Sequence, residues 1–111
     1  MKQITPPKAI AIKDFATGLV GETVTFRMLA VARWINSENA RAQCDTIPKL
    51  LKWGKVIEKI MAAEDMVPFC LEDADYDLLR PVVEADAVAH APAVGLQLLP
   101  LYQCVLEAKA P

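Results

Sequence analysis

The sequence has few of the residues that usually build metal centres. Only three cysteines and one histidine occur in 111 residues, and no two cysteines are close enough to form a Cys-x-x-Cys pair. A structural zinc site usually needs four ligands, and here His90 would have to join all three cysteines. We therefore expect no metal ion and no cofactor.

A catalytic constellation is equally hard to assemble. His90 is the only histidine, and no residue pattern marks a nucleophile elbow or a Cys–His pair. Gly18-x-x-Gly21 is too short for a phosphate-binding fingerprint. His90 lies in an alanine-rich connection before Pro92, so we interpret it as a loop or capping residue. We predict that the chain is not an enzyme.

Long apolar runs are also missing. Charges or prolines interrupt every apolar stretch well before the roughly 18 residues that a membrane helix needs. No apolar run of signal-peptide length follows Met1. We therefore predict a cytoplasmic protein without a membrane partner.

The overall composition indicates one folded domain. Hydrophobic residues make up 54% and charged residues 23% of the chain, which excludes intrinsic disorder, and domains cluster near this length. The Pro6-Pro7 pair blocks a helix, so we predict a flexible arm over residues 1–7. A single domain is expected over residues 8–111.

Periodicity predicts short strands and several helices. Residues 8–13 alternate like a strand, a glycine-containing turn follows, and residues 66–71 form a second strand that could pair with the first. Helices are predicted from Thr23 or Thr25 to Asn36, over 47–63, from Asp73 or Asp77, and over 92–108. Residues 36–45 are expected to form a loop, with or without a helical turn. The expected fold class is α+β, with three to four helices packed on a small two- or three-stranded antiparallel sheet.

Two helix faces are expected to form much of the core. The first contains Val24, Met28, Val31 and Ile35 and is widened by Leu29 and Ala32, and the second contains Ile47, Leu50, Leu51, Gly54, Ile57 and Met61. Four lysines share the opposite side of the second helix: Lys49, Lys52, Lys55 and Lys59. We interpret them either as a solvated face or as a contact for phosphate or an acidic partner.

Both tryptophans are candidate partner-binding residues alongside the lysines. Trp34 and Trp53 lie on or beside apolar faces, where core packing is the ordinary role. An exposed tryptophan would mark an interface hot spot.

Charge is distributed unevenly along the chain. Residues 1–63 contain ten basic and five acidic residues, whereas residues 64–111 contain two and nine, for a net charge of −2 overall. Two interpretations are open: attraction between the halves of one molecule, or contacts between the basic face of one copy and the acidic face of the next.

An acid-rich segment resembles a calcium-binding loop in spacing only. Asp73, Asp75, Asp77 and Glu84 occupy the positions of EF-hand ligands, but Leu78 stands where the loop needs glycine. We interpret the acids as the start of a helix, where the helix dipole favours negative charge.

The order of features resembles small proteins from the structural gene blocks of tailed phages and prophages. The similar segments are Thr25-Phe26-Arg27, Lys59-Ile60, Leu71-Glu72-Asp73 and Val94-Gly95-Leu96-Gln97. The resemblance implies a virion-assembly or accessory role through protein–protein contacts, in the host cytoplasm or the virion. It implies a homo-oligomer or a second phage protein as partner, and no catalytic residue. A small nucleic-acid-binding regulator that uses Lys49–Lys59 is the alternative.

Overall fold

Five helices and four short strands make up the part of the chain that the computed structural model describes, residues 1–14, 16–90 and 92–111. The strands are β1 (Lys2–Ile4), β2 (Ile10–Lys13), β3 (Val20–Val24) and β4 (Phe69–Leu71). The helices are α1 (Phe26–Arg33), α2 (Glu38–Gln43), α3 (Ile47–Met61), α4 (Asp73–Ala89) and α5 (Pro92–Leu106). The α+β class is confirmed. There is one helix more than expected, and the strands form two separate two-stranded sheets.

Strand pairing differs from the expectation. The two antiparallel pairs are β1 with β4 and β2 with β3, so the proposed pairing of residues 66–71 with 8–13 is wrong. Gly18, with a φ of 74°, lies in the turn between β2 and β3 and donates its N–H to the carbonyl of Asp14 at 2.7 Å. Glycine adopts this backbone conformation without steric cost, which lets the chain reverse and form a local hairpin.

The first residues belong to the fold. Ile4 is fully buried in β1, and the Gln3 N–H donates to the carbonyl of Lys109 at 2.8 Å. The flexible arm predicted for residues 1–7 is therefore wrong. Pro6-Pro7 blocks a helix but leaves the preceding residues free to pair with a strand.

Helix α1 begins where the sequence indicates and buries only part of the predicted face. The Thr25 hydroxyl accepts the Met28 N–H at 3.1 Å, as an N-cap does. The core is reached through Phe26, Leu29 and Ala30, whereas Met28 and Val31 are about half exposed. The predicted face is therefore wrong at these two positions, because the neighbours of a helix decide which of its apolar residues become buried.

Helix α2 forms within residues 36–45, the stretch predicted as a loop with or without a helical turn. The Ser37 hydroxyl caps it by accepting the Ala40 N–H at 3.1 Å. Ala40 is its buried residue.

Helices α4 and α5 pack together and complete the core. Helix α4 starts at Asp73 and continues through Pro81, and α5 starts at Pro92 as predicted. The buried Tyr76 hydroxyl donates to the carbonyl of Val105 at 2.6 Å. This bond joins the two helices and satisfies a polar group that would otherwise be costly to bury.

Candidate interaction surface

Helix α3 is a fifteen-residue helix with a well-defined start. The Thr46 hydroxyl accepts the Lys49 N–H at 3.4 Å, and Pro48 lies in the first turn, where its missing N–H costs no helical bond. The helix packs against α4, β4 and α1, so one side is held by the core and the other is left for solvent.

The core side of α3 consists of Trp53, Val56 and Ile60. Val56 and Ile60 are fully buried, and Trp53 is 3% exposed. The Trp53 indole N–H donates to the carbonyl of Ile35 at 3.1 Å. Trp53 is thus a core residue with a satisfied polar group, and the suggestion that it contacts a partner directly is wrong.

The opposite side of α3 contains apolar residues that nothing in the described chain covers. Ile47 is 70% exposed, Leu50 53%, Leu51 68% and Met61 46%. These residues were expected to face the core. That prediction is wrong, because the shorter stripe that contains Trp53 faces the core instead. We call the exposed residues Ile47, Leu50, Leu51, Gly54 and Met61 the outer face of α3.

Gly54 lies in the middle of this outer face. A Cβ built on it would meet nothing within 4 Å. The single chain therefore offers no packing reason for glycine, although glycine is a poor helix former at an interior position.

The four lysines are all exposed, but they do not form a single surface. Lys49 forms an ion pair with Asp45 at 3.0 Å. Lys52, Lys55 and Lys59 form no ion pair within the described residues. These three lie on one side of α3, between its outer face and its core side.

Acidic groups stand close to two of these lysines. Lys55 and Lys59 line a cleft of about 310 Å³ together with Glu58, Glu72 and Asp75. The cleft lies between α3 and the start of α4. Its mixed charge differs from the uniformly basic groove that a nucleic-acid backbone prefers.

Trp34 belongs to a buried polar cluster around Asp86. Trp34 is fully buried, which makes its suggested contact with a partner wrong, and its indole N–H donates to Asp86 Oδ2 at 3.0 Å. The Tyr102 hydroxyl donates to the same oxygen at 2.9 Å, and Arg33 Nε donates to Oδ1 at 2.5 Å. Asp86 is only 7% exposed, so these donors replace the hydrogen bonds that water would otherwise make to the carboxylate.

His90 completes the cluster at the end of α4. Its Nδ1 forms a short hydrogen bond with the Tyr102 hydroxyl and lies 3.8 Å from Asp86 Oδ2. Burial and the nearby Asp86 carboxylate raise the pKa of Tyr102 well above its ordinary value, which keeps the hydroxyl protonated.

The Asp86 cluster is a feature that the sequence analysis missed. A signal for it exists, because Asp86 follows Val82 and Val83 at helical spacing and precedes His90 by one turn. An acid on an apolar helix face indicates a buried, paired carboxylate. Its partner Arg33 comes from the basic half of the chain, as does the Met1 amine that pairs with Asp73 at 2.6 Å. Attraction between the halves therefore accounts for part of the uneven charge.

A small cleft lies beside the cluster. It has a volume of about 260 Å³ and is lined by residues from β2, β3, α1 and α5, together with Arg33 and His90. This volume is slightly below the range of about 300–1,000 Å³ that is typical of ligand pockets.

The remaining groups give no sign of a metal site. Among the residues that the structure describes, no three His, Cys, Asp or Glu side chains are placed to hold a metal ion. Asp75 is buried and Asp77 exposed on different sides of α4. The calcium-loop spacing is therefore that of a helix start.

Within the described part of the chain, no helix combines the length and apolar character needed to cross a bilayer. No family model, curated protein or solved structure matches the chain.

Proposed function

We propose that the chain is a non-enzymatic protein that works through protein–protein contact, and that two copies associate through the outer face of α3. The observation that supports this is the exposure of Ile47, Leu50, Leu51 and Met61 along one side of a single helix. Single exposed apolar residues are ordinary, but a contiguous patch is typical of an interaction site.

The energetics favour a reversible contact. Burying a large aliphatic side chain completely is worth about 1.5–3 kcal/mol, and these four side chains have about half of their surface left to bury. In two copies the gain is of the same order as the cost of association, about 4–15 kcal/mol. We therefore expect a dimer that dissociates on dilution.

The resemblance to small proteins of phage structural gene blocks suggests the setting. In a tailed phage or prophage, such a dimer would act as an assembly or accessory protein. A reversible contact suits that role, because the same apolar face is then available for exchange with another assembly protein.

Sedimentation velocity over a concentration series tests the proposal. We expect the wild-type chain to dimerise and Leu51→Glu to be monomeric at all concentrations, because a carboxylate cannot be buried unpaired. Val88→Glu is the matched control, since Val88 is 86% exposed and belongs to a different helix, α4. A monomeric wild-type chain, or equal effects of the two variants, would contradict the proposal.

The second candidate function is nucleic-acid binding through the lysine side of α3. Its support is that Lys52, Lys55 and Lys59 are exposed and form no ion pair in the described residues. DNA binding at low salt that disappears in a Lys52→Glu, Lys55→Glu double variant would support it. Absence of binding at low salt would eliminate it.

A further inference from the structure

We infer that the two copies pair through antiparallel α3 helices that cross at Gly54, with Glu58 of each helix beside Lys55 of the partner subunit. This inference rests on the proposed function and adds the geometry of the contact. It follows from the spacing of residues around Gly54, from Gly54 itself and from the placement of charge.

The spacing around Gly54 is nearly symmetric. Residues three, four and seven positions away on either side lie on the same helix face; they are Ile47, Leu50 and Leu51 before it, and Ile57, Glu58 and Met61 after it. Ile57 is partly buried against the core of its own chain, and the other five are exposed and available for the contact. In an antiparallel pair with its two-fold axis at Gly54, each residue before the glycine meets the residue equally far after it. Ile47 then lies level with Met61 of the partner subunit, and both residues are within about 20° of the line of contact.

Gly54 acquires a role in this arrangement. The distance between two packed helices depends on the side chains at their crossing point. In the single chain a Cβ at Gly54 would meet nothing within 4 Å. Because Gly54 has no side chain, a second helix that crosses at this position can approach closely.

Glu58 distinguishes antiparallel from parallel pairing. Parallel helices related by a two-fold axis would bring Glu58 against Glu58 of the partner subunit, which is unfavourable in an apolar seam. An antiparallel pair places Leu50 of the partner subunit there instead, with the carboxylate at the edge of the contact.

Lys55 lies on the same side of the helix as Glu58. At 100° per residue, Glu58 is about 40° and Lys55 about 100° from Gly54 in the same direction. An antiparallel two-fold axis keeps these edges together, and side chains that lean towards the helix N-terminus bring Glu58 towards Lys55 of the partner subunit. Neither residue forms an ion pair within the described chain.

A charge swap tests this contact by sedimentation velocity. We expect Glu58→Lys and Lys55→Glu each to weaken dimerisation about tenfold, because each creates two like-charge contacts per dimer. The double variant should restore the dissociation constant to within about threefold of the wild-type value. Lys52→Glu is the control: Lys52 lies about 160° from Gly54, and its substitution should leave the dimer intact.

Cysteine cross-linking tests the direction of the helices independently. Under oxidation Gly54→Cys should form a covalent dimer, and Ile47→Cys should do so only when mixed with Met61→Cys. The wild-type chain, treated alike, controls for its native cysteines. Cross-linking of Ile47→Cys alone would show a parallel pair and overturn the inference.

The two proposals can fail separately. If the wild-type chain is monomeric, both are wrong. If Leu51→Glu dissociates a wild-type dimer but the charge swap restores nothing, the outer face is the interface and only the antiparallel geometry is overturned.

Discussion

The Asp86 cluster and the outer face of α3 differ in whether their side chains find partners within the chain. Around Asp86, a carboxylate is buried and receives hydrogen bonds from Arg33, Trp34 and Tyr102. On α3, apolar side chains such as Ile47 remain more than half exposed. The polar cluster thus finds all of its partners within one chain, whereas the apolar face is left uncovered. The first therefore serves stability, and the second is available for contact.

Removing the central carboxylate should have the largest effect on stability. Asp86→Ala leaves the buried Trp34 N–H without an acceptor, removes one of the two hydrogen bonds of the Tyr102 hydroxyl, and leaves Arg33 without its counter-charge. We expect a loss of about 3–5 kcal/mol in the free energy of unfolding, measured by urea denaturation. The exposed Asp77→Ala on the same helix should change it by less than about 0.5 kcal/mol. A loss below about 1 kcal/mol for Asp86→Ala would show that the cluster is not structural.

Matched truncations on α3 should separate its two sides. Ile60→Ala should lower the free energy of unfolding by at least about 2 kcal/mol, because Ile60 is fully buried. Ile47→Ala, at a residue that is 70% exposed, should change it by less than about 0.5 kcal/mol in the monomer. Urea denaturation at a concentration where the chain is monomeric makes the comparison, and equal losses would mean that the outer face is not free.

Gly54→Ala should act in opposite directions on the monomer and the dimer. In the monomer the helix gains up to about 1 kcal/mol, because alanine is the better helix former and its methyl group meets no neighbour within 4 Å. In the dimer the methyl group lies at the crossing point and should weaken association. Thermal unfolding and sedimentation of the same sample measure the two effects, and a tighter dimer would contradict close approach at Gly54.

The smallest effect concerns the reactivity of two cysteine thiols. Burial raises the pKa of Cys104 to about 12, so at pH 8 the thiolate fraction is on the order of one in ten thousand. Burial and the neighbouring Asp45 raise the pKa of Cys44 as well, and Lys49 opposes that rise. We expect a maleimide to label Cys44 faster than Cys104, as followed by peptide mass spectrometry. Equal rates would show that α5 opens readily.

Local signals predicted where elements begin, but not which faces they bury. Thr25, Thr46 and Pro92 mark helix starts because capping depends on neighbours in sequence. The core side of α3 depends on what α4 and β4 present to it. The longer apolar stripe through Leu50 was therefore mistaken for the core, although Trp53 and its neighbours fill that place.

The candidate surface was predicted in part. The lysines of α3 are exposed, as both interpretations of them required, while Trp34 and Trp53 are buried. An indole has both a large apolar surface and a polar N–H, so sequence alone does not distinguish an interface residue from a core residue with a hydrogen-bond partner. The Trp34 indole bonds to Asp86 and the Trp53 indole bonds to the carbonyl of Ile35. Neither partner is close to its tryptophan in sequence.

The position of β1 has a consequence for the order in which the molecule can fold during synthesis. Residues 2–4 leave the ribosome before their strand partner, residues 69–71, and before Lys109, to which Gln3 also bonds. Ile4 therefore has no permanent place in the core until those later residues are available. Such non-local contacts slow folding, so β1 is expected to join the fold late.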